Sequence, residues 1–442
     1  MAEGEFYRAA NPQEAAGLLA QHGGGARVLA GGTDLMVAIN KRKFKPQVLI
    51  YLGDAGMSGI SQEGDALLIG AATPLNEILA SPLVADKAPL LAAAIKQMAS
   101  PAIRNAGTIG GNLANASPAA DTATPLLVLG ASLKLVGAKG EREVPLAEFF
   151  TGPGQSVLGA DEIIAQVKVP AQAAKAKWAY RKVGKRKAQS LSVVSVAVYC
   201  PLSGGKVSGA AIALGAVAPT PLLATEAAGL LNGKALDEAT IAAAAKAAAG
   251  ATAPSTTPGA PPGIANGPPR PWSSNCSPSW PVRREDSMHT LELTVNGQTC
   301  RVEVGLKTTL LEVLRDKLHI TSPKVGCNTG DCGTCSVLLD GVLVRSCITN
   351  ALSVQGKSVT TLEGITEPGD IHPLQKAFHE HYGSQCGFCT PGMILASKAL
   401  LDVNPSPTRD EVKEALSGNL CRCTGYVKII DSVLAAADEM KS

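Results

Sequence analysis

Eight of the 11 cysteines in the 442-residue chain fall into two groups with the close spacing that shared ligation requires. The first group lies in VGCNTGDCGTCSVLLDGVLVRSC and holds Cys327, Cys332, Cys335 and Cys347. It is a C-x4-C-x2-C run, followed after 11 residues by the fourth thiol. Disulfides, zinc and an iron–sulfur cluster all use grouped thiols. Structural zinc sites usually pair two short C-x2-C units, and only one pair here is that close. The spacing is that of plant-type [2Fe–2S] ligands. Such a cluster is a compact anion that needs four converging thiolates and inward-facing amides. Gly326, Gly330 and Gly333 let the loop curl tightly enough to supply both.

The second group is QCGFCTPGM and LCRCTGY, with Cys386 and Cys389 as C-x2-C and Cys421 and Cys423 as C-x-C. Thr390-Pro391 is expected to cap a helix there, which places the first two thiolates at its positive end. Taken alone this pattern also fits zinc. Following a plant-type group, it reads as a second [2Fe–2S] site. Cys200, Cys276 and Cys300 have no partner spacing and are taken as incidental.

Two glycine stretches in the first half suit a different ligand. VLAGGTDLM, residues 28–36, puts Gly31 and Gly32 between a strand and a helix start, where backbone amides can hold a phosphate. It is not the G-x-G-x-x-G dinucleotide fingerprint, and a Gly-Gly turn is often only a turn. NAGTIGGNLANASPAAD, residues 105–121, offers many hydrogen-bonding groups and little apolar bulk. A third stretch, YRKVGKRKAQSLSVV, carries five cations between positions 181 and 187 and reads as a solvated basic turn.

The elements that must position these residues follow from length and pattern. A chain of this size accommodates roughly three domains, each with its own core. At 45% apolar, 17% charged and net charge +3, the composition is that of a globular protein with no case for nucleic acid. The first residues carry no secretory pattern, no apolar run suits membrane insertion, and a cytoplasmic location is expected, which argues against disulfides. Residues 26–30 and 67–71 read as strands and residues 11–22 as a helix opened by Asn11 and Pro12. Residues 251–287 are dominated by Pro, Gly and Ser and read as a linker. Beyond it, Asn296-Gly297 marks a hairpin, and Thr408 with Glu411 forms a capping box in a helical tail. The expected domains are 1–175, 176–250, 288–365 and 366–442, two of them α+β, then one β-rich and one helical.

Together these motifs resemble the molybdenum hydroxylase family, which includes xanthine dehydrogenase, aldehyde oxidase, aerobic CO dehydrogenase and 4-hydroxybenzoyl-CoA reductase. Residues 1–250 are similar to its FAD-binding medium subunit and residues 288–442 to its iron–sulfur small subunit. The implied fold class is α+β: a two-part FAD-binding domain with a small α+β flavoprotein C-terminal domain, then a β-grasp ferredoxin domain and a four-helix [2Fe–2S] domain. By that resemblance Val28, Leu29, Ala30, Gly31, Gly32, Thr33, Asp34 and Leu35 hold the FAD pyrophosphate. Thr108, Ile109, Gly110, Gly111 and Asn112 form a second phosphate loop, and Asp121 reaches the ribityl or ribose region. Lys182 matches a basic residue near the flavin ring and Leu191 an aliphatic one covering it. Met98 and Ile164 fall where the family packs adenine or flavin, and all eight cluster ligands are in place. Gln385 matches a glutamine that faces the molybdopterin of a partner subunit.

The resemblance implies an oxidoreductase component in a heteromeric complex. Its partners are a molybdenum-cofactor large subunit and an acceptor such as NAD, ferredoxin, quinone or oxygen. The pattern departs in three places: flavin precedes iron–sulfur, a proline-rich run replaces a helical arm, and Gln189 stands where an acidic residue is common. The rival expectation is a zinc-stabilised or redox binding module with a phosphate-ligand domain.

Overall fold

The computed structural model describes residues 4–173, 175–252, 288–366, 369 and 371–441. From residue 253 to 287 the expected linker, with Cys276, lies outside the described residues. The first helix, Pro12–His22, begins where Asn11 Oδ1 accepts the Glu14 amide at 2.8 Å, with Pro12 in the first turn. It buries Ala15, Ala16 and Leu19 and stops at Gly23, whose φ of 53° the next helical turn could not continue.

The chain then enters Ala26–Leu29, one of three parallel strands ordered Glu5–Arg8, Val48–Tyr51, Ala26–Leu29. The central strand is apolar along its length, as suits a strand covered on both faces. A second sheet is antiparallel, in the order Ile60–Glu63, Ala66–Gly70, Ile163–Val169, Ser132–Gly137, Gly140–Pro145. Its core includes Ile69, Leu91, Ile95, Leu113, Leu126 and Phe149, all fully buried. A third antiparallel sheet, led by the long hairpin Ala176–Gly184 and Ser192–Ser203, packs on the helices Thr225–Leu231 and Glu238–Gly250.

After the undescribed stretch the expected hairpin is present. Met288–Val295 pairs with Gln298–Gly305 around Asn296 at φ 51° and Gly297 at φ 81°, the two left-handed positions a tight hairpin turn demands. That sheet runs Gln298–Gly305, Met288–Val295, Ser358–Thr360, Ser336–Leu339, Val342–Arg345, with one parallel pair in its middle. The tail supplies four helices: Pro373–Glu380, Thr390–Leu401, Arg409–Ala415 and Val427–Glu439. Thr408 and Glu411 form the reciprocal cap that was expected. Thr390 does not cap its helix. Cys389 is the cap position, Thr390 and Pro391 sit in the first turn, and Thr390 Oγ1 pairs with Ser384 Oγ at 2.9 Å.

The two halves of the chain share a core. Leu29, Met36 and Ile39 of the first pack with Leu311, Cys335, Cys347 and Ile348 of the second. Leu49 likewise joins the core of the β-grasp sheet, and Ala102 that of the helical domain. Among the described residues no helix is long and apolar enough to cross a membrane.

Candidate cofactor sites

The strand Ala26–Leu29 leads through Ala30, Gly31, Gly32, Thr33 and Asp34 into the six-residue helix Leu35–Asn40. A side chain at Gly31 would start 1.6 Å from Ala106 O, so this loop lies backbone to backbone against the second glycine stretch. Gly32 has φ 74°, a conformation a branched residue adopts only under strain. In the second stretch Thr108 caps Ile109–Ala114, its Oγ1 accepting the Gly111 amide at 3.1 Å. Gly110 backs onto Ala71, whose carbonyl accepts its amide at 2.8 Å. Asn115 Nδ2 donates to Asp34 Oδ1 at 3.4 Å and Thr122 Oγ1 to Asn112 Oδ1 at 2.6 Å. The two stretches thus form one polar surface, on which the amides of Ile109, Gly110, Gly111 and Asn112 are already bonded within the protein. Asp34 is exposed at this surface, and the protein packed around its carboxyl pushes it above the ordinary range by desolvation.

A third wall comes from the long hairpin. Asp121 is buried, and its oxygens accept from Ser192 Oγ at 2.5 Å, Tyr180 Oη at 3.1 Å and Lys182 Nζ at 2.6 Å. Tyr180 and Lys182 are two apart on one strand and therefore share a face. Burial, then the Asp121 charge, pushes the Tyr180 phenol far above its usual range. Leu191, at the turn of the hairpin, is 72% exposed, and Gln189 Nε2 beside it is buried without a partner. Met98 and Ile164 belong to the same buried core as Ile109. A glycine cradle, an orphaned amide donor and an uncovered leucine fit a flavin nucleotide.

Among the cysteines, the first group converges. The Cys327 thiol is influenced by Cys332 and Cys347, and Cys347 by Cys335, so the four side chains form one connected row of neighbours. Backbone amides aim at them: Cys332 N and Thr329 N reach Cys327 Sγ at 3.3 and 3.4 Å, and Cys327 N reaches Cys332 Sγ at 3.4 Å. Gly326 is obligatory, because a Cβ there would lie 2.6 Å from Cys332 Sγ. The hydrogen bond with Cys347, with Arg345 adding its charge, draws Cys335 down to about 7.

The second group joins one thiol of each pair. Cys386 and Cys423 have their sulfurs 3.6 Å apart, and Cys389 bonds to Cys421. The Thr424 amide and hydroxyl reach Cys421 Sγ at 3.4 and 3.2 Å. Among the described residues no three His, Cys, Asp or Glu side chains gather as ligands of one metal ion. The sulfurs form a connected row in the first group and linked pairs in the second, which suits clusters that spread four thiolates over two irons.

Between the sites the contacts are direct. The Leu420 amide donates to Cys332 O at 2.9 Å, tying the residue before Cys421 to a ligand of the first group. Asn40, which ends the helix of the first glycine loop, donates to Cys347 O at 2.9 Å and Asn328 O at 3.1 Å. A Cβ on Gly32 would stand 3.0 Å from Ile348 O.

A profile described as the FAD binding domain in molybdopterin dehydrogenase matches residues 2–172, and that of the CO dehydrogenase flavoprotein C-terminal domain matches 178–263. A 2Fe-2S iron-sulfur cluster binding domain matches 293–357 and a [2Fe-2S] binding domain 361–434. The nicotine 6-hydroxylase small subunit of Paenarthrobacter nicotinovorans is 47% identical over 150 residues, covering 34% of this chain and 90% of that one. The chain belongs to the molybdenum hydroxylase family. Carbon monoxide dehydrogenase from Hydrogenophaga pseudoflava is similar in structure, with TM-score 0.56 and 37% identity over 58% of this chain and 89% of that one. Quinoline 2-oxidoreductase from Pseudomonas putida 86 gives TM-score 0.54 and 31% identity over 57% of this chain and 88% of that one. This molybdenum hydroxylase chain therefore joins an FAD-binding domain and two [2Fe–2S]-binding domains.

Several residues of this family member that shape the sites carried no signal of their own. Tyr180 and Ser192 hold Asp121, and only the two-residue spacing of Tyr180 and Lys182 hinted at a shared face. Asn40 sits 307 positions from Cys347 and nothing local marks it.

Proposed function

We propose that the chain is the electron-transfer component of a molybdenum-containing hydroxylase or dehydrogenase. Electrons from a separate molybdenum-cofactor subunit would enter at the helical domain, pass to the plant-type site, reach FAD and leave to an acceptor such as NAD. When bound, the clusters exchange single electrons and the flavin two, which is the chemistry this route needs. The observation that carries the reading is the contrast in setting of the two cysteine groups. Cys386 and Cys423 are exposed, while Cys335 and Cys347 are buried against the first glycine loop.

In this reading Cys327, Cys332, Cys335 and Cys347 hold one cluster and Cys386, Cys389, Cys421 and Cys423 the other. Residues 28–35 bind the pyrophosphate, and residues 108–112 form the second phosphate loop. Asp121, already bonded to Tyr180, Lys182 and Ser192, keeps lone-pair capacity for one further donor. Leu191 covers the flavin, and Met98 and Ile164 back the cofactor from the core. Gln385 and Arg422, both exposed beside Cys386 and Cys423, face the molybdenum subunit, with Phe388, Leu420 and Val427 as an apolar rim. The domain division 1–175, 176–250, 288–365 and 366–442 and a cytoplasmic location belong to the same proposal, and the missing subunit selects the substrate. The test is acceptor reduction by purified protein with and without its molybdenum subunit. Turnover only with that subunit is expected, and equal turnover without it would refute the assignment.

A further inference from the structure

Arg345 ends the strand Val342–Arg345, two residues before Cys347, and is 1% exposed. It is the largest fully buried side chain among the described residues. Its guanidinium donates to Ser336 Oγ, to Gly418 O at 2.7 Å and to Asn419 Oδ1 at 3.1 Å. None of these partners carries a charge, and Nε is buried with no partner at all. A cation removed from water costs several kcal/mol unless an anion compensates it. It lies two residues before Cys347, and its partner Ser336 directly follows Cys335, so the negative charge placed to compensate it is that of the first cysteine group, Cys335 foremost.

Its position has a second side. Gly418 and Asn419 belong to the helical domain and lead directly to Cys421. Asn419 is itself pinned, donating to Gly333 O at 3.1 Å and Gly392 O at 2.9 Å. A side chain at Gly418 would start 2.4 Å from Arg345 Nη2, so the backbone closes over the guanidinium. The charge is therefore held rigidly at the seam between the two cysteine-bearing domains, on the side of the first group.

We infer that Arg345 is the built-in counter-cation of the plant-type site and raises the reduction potential of the cluster held there. This rests on the reading of Cys327, Cys332, Cys335 and Cys347 as [2Fe–2S] ligands. Adding one electron to a thiolate-ligated cluster increases its negative charge by one, and no bond is made or broken. A fixed cation in a dry, low-dielectric seam favours the more negative state, and potential follows net charge and hydrogen bonding around the sulfurs. The effect favours electron flow from the exposed group inward. Arg345 is a positioning residue for that flow.

The test is an EPR-monitored redox titration of the whole protein, with iron and flavin quantified, for the wild type, Arg345→Gln and Arg345→Lys. Two iron–sulfur signals in the wild type establish the ligand reading independently of the inference. Arg345→Gln is expected to disfavour reduction of the plant-type cluster at least tenfold, ~59 mV for a one-electron couple. The helical-domain cluster should shift less. Arg345→Lys keeps the charge but loses the planar fork, so it should stay near the wild-type potential. An unshifted Arg345→Gln would overturn the inference. So would an Arg345→Lys as displaced as Arg345→Gln, since a purely structural role needs the fork. If Arg345→Gln loses the cluster, retention of cluster and potential by Arg345→Lys supports the inference, and loss in both overturns it.

Discussion

The two cysteine groups offer the same four thiols in opposite settings. The first is curled into a glycine-rich loop, with Cys335 and Cys347 sealed by Leu29, Met36 and Ile39 of the flavin-binding half. The second opens outward at the tips of two helix-flanking turns, with Cys386 and Cys423 exposed and Gln385 and Arg422 beside them. Burial on one side and exposure on the other are what the proposed direction of electron flow rests on. In the first group Cys335 and Cys347 are covered by this chain while Cys327 and Cys332 are half-buried, and in the second the exposed thiols have an exposed polar and apolar rim. The Leu420 to Cys332 hydrogen bond joins them through a few covalent bonds.

The contrast can be broken most severely at the sealed group. Cys332→Ser should cost half of the bound iron and stop flavin reduction by the partner, while FAD and the helical-domain cluster remain. Metal analysis and EPR would show this, and two intact clusters would remove the ligand assignment. Next in size is Gly32→Val. A branched residue at φ 74° carries about 1–3 kcal/mol of backbone strain, and its side chain would meet Ile348 O. It should expel FAD and loosen the seam to the β-grasp domain together, read as flavin content and faster amide exchange around Ile348.

Asn40→Ala sharpens the comparison without removing a cofactor. It deletes two hydrogen bonds across the seam, worth roughly 1–3 kcal/mol together, and should slow transfer between cluster and flavin at unchanged cofactor content. Stopped-flow flavin reduction would measure it. The smallest stability effect belongs to the open group. Gln385→Ala and Arg422→Ala should change stability by no more than about 0.5 kcal/mol, because both side chains face solvent. They should nevertheless weaken pull-down of the molybdenum subunit, a dissociation that no buried-site substitution would imitate.

How much of this was legible in the chain depends on the range of the forces involved. Ligand spacing is local chemistry, so C-x4-C-x2-C and C-x-C could be read directly, and a β-turn such as Asn296-Gly297 announces itself through its backbone demands. Asn11 and Thr408 were equally plain, because a cap and its target amide lie three residues apart. Thr390 misled for the same reason. A threonine before a proline resembles a cap, but the turn through Cys389 takes that position and the hydroxyl goes to Ser384. The seam was silent. Asn105 meets Leu343 O and Arg104 faces Glu414 at 3.7 Å across more than half the chain, and the proline-rich stretch between them suggested independent modules. Arg345 was hidden too, since an arginine ending a strand ordinarily faces water and only the packing of two domains buries it.

The proposed direction of electron flow runs from the helical domain through the plant-type site to flavin. Rapid-freeze EPR with parallel absorbance, after mixing the protein with its reduced molybdenum subunit, tests it most directly. The helical-domain signal should appear first, the plant-type signal second and flavin bleaching last, and Cys332→Ser should stop the sequence after the first signal. Flavin that bleaches before either cluster, or at an undiminished rate in Cys332→Ser, would contradict the route.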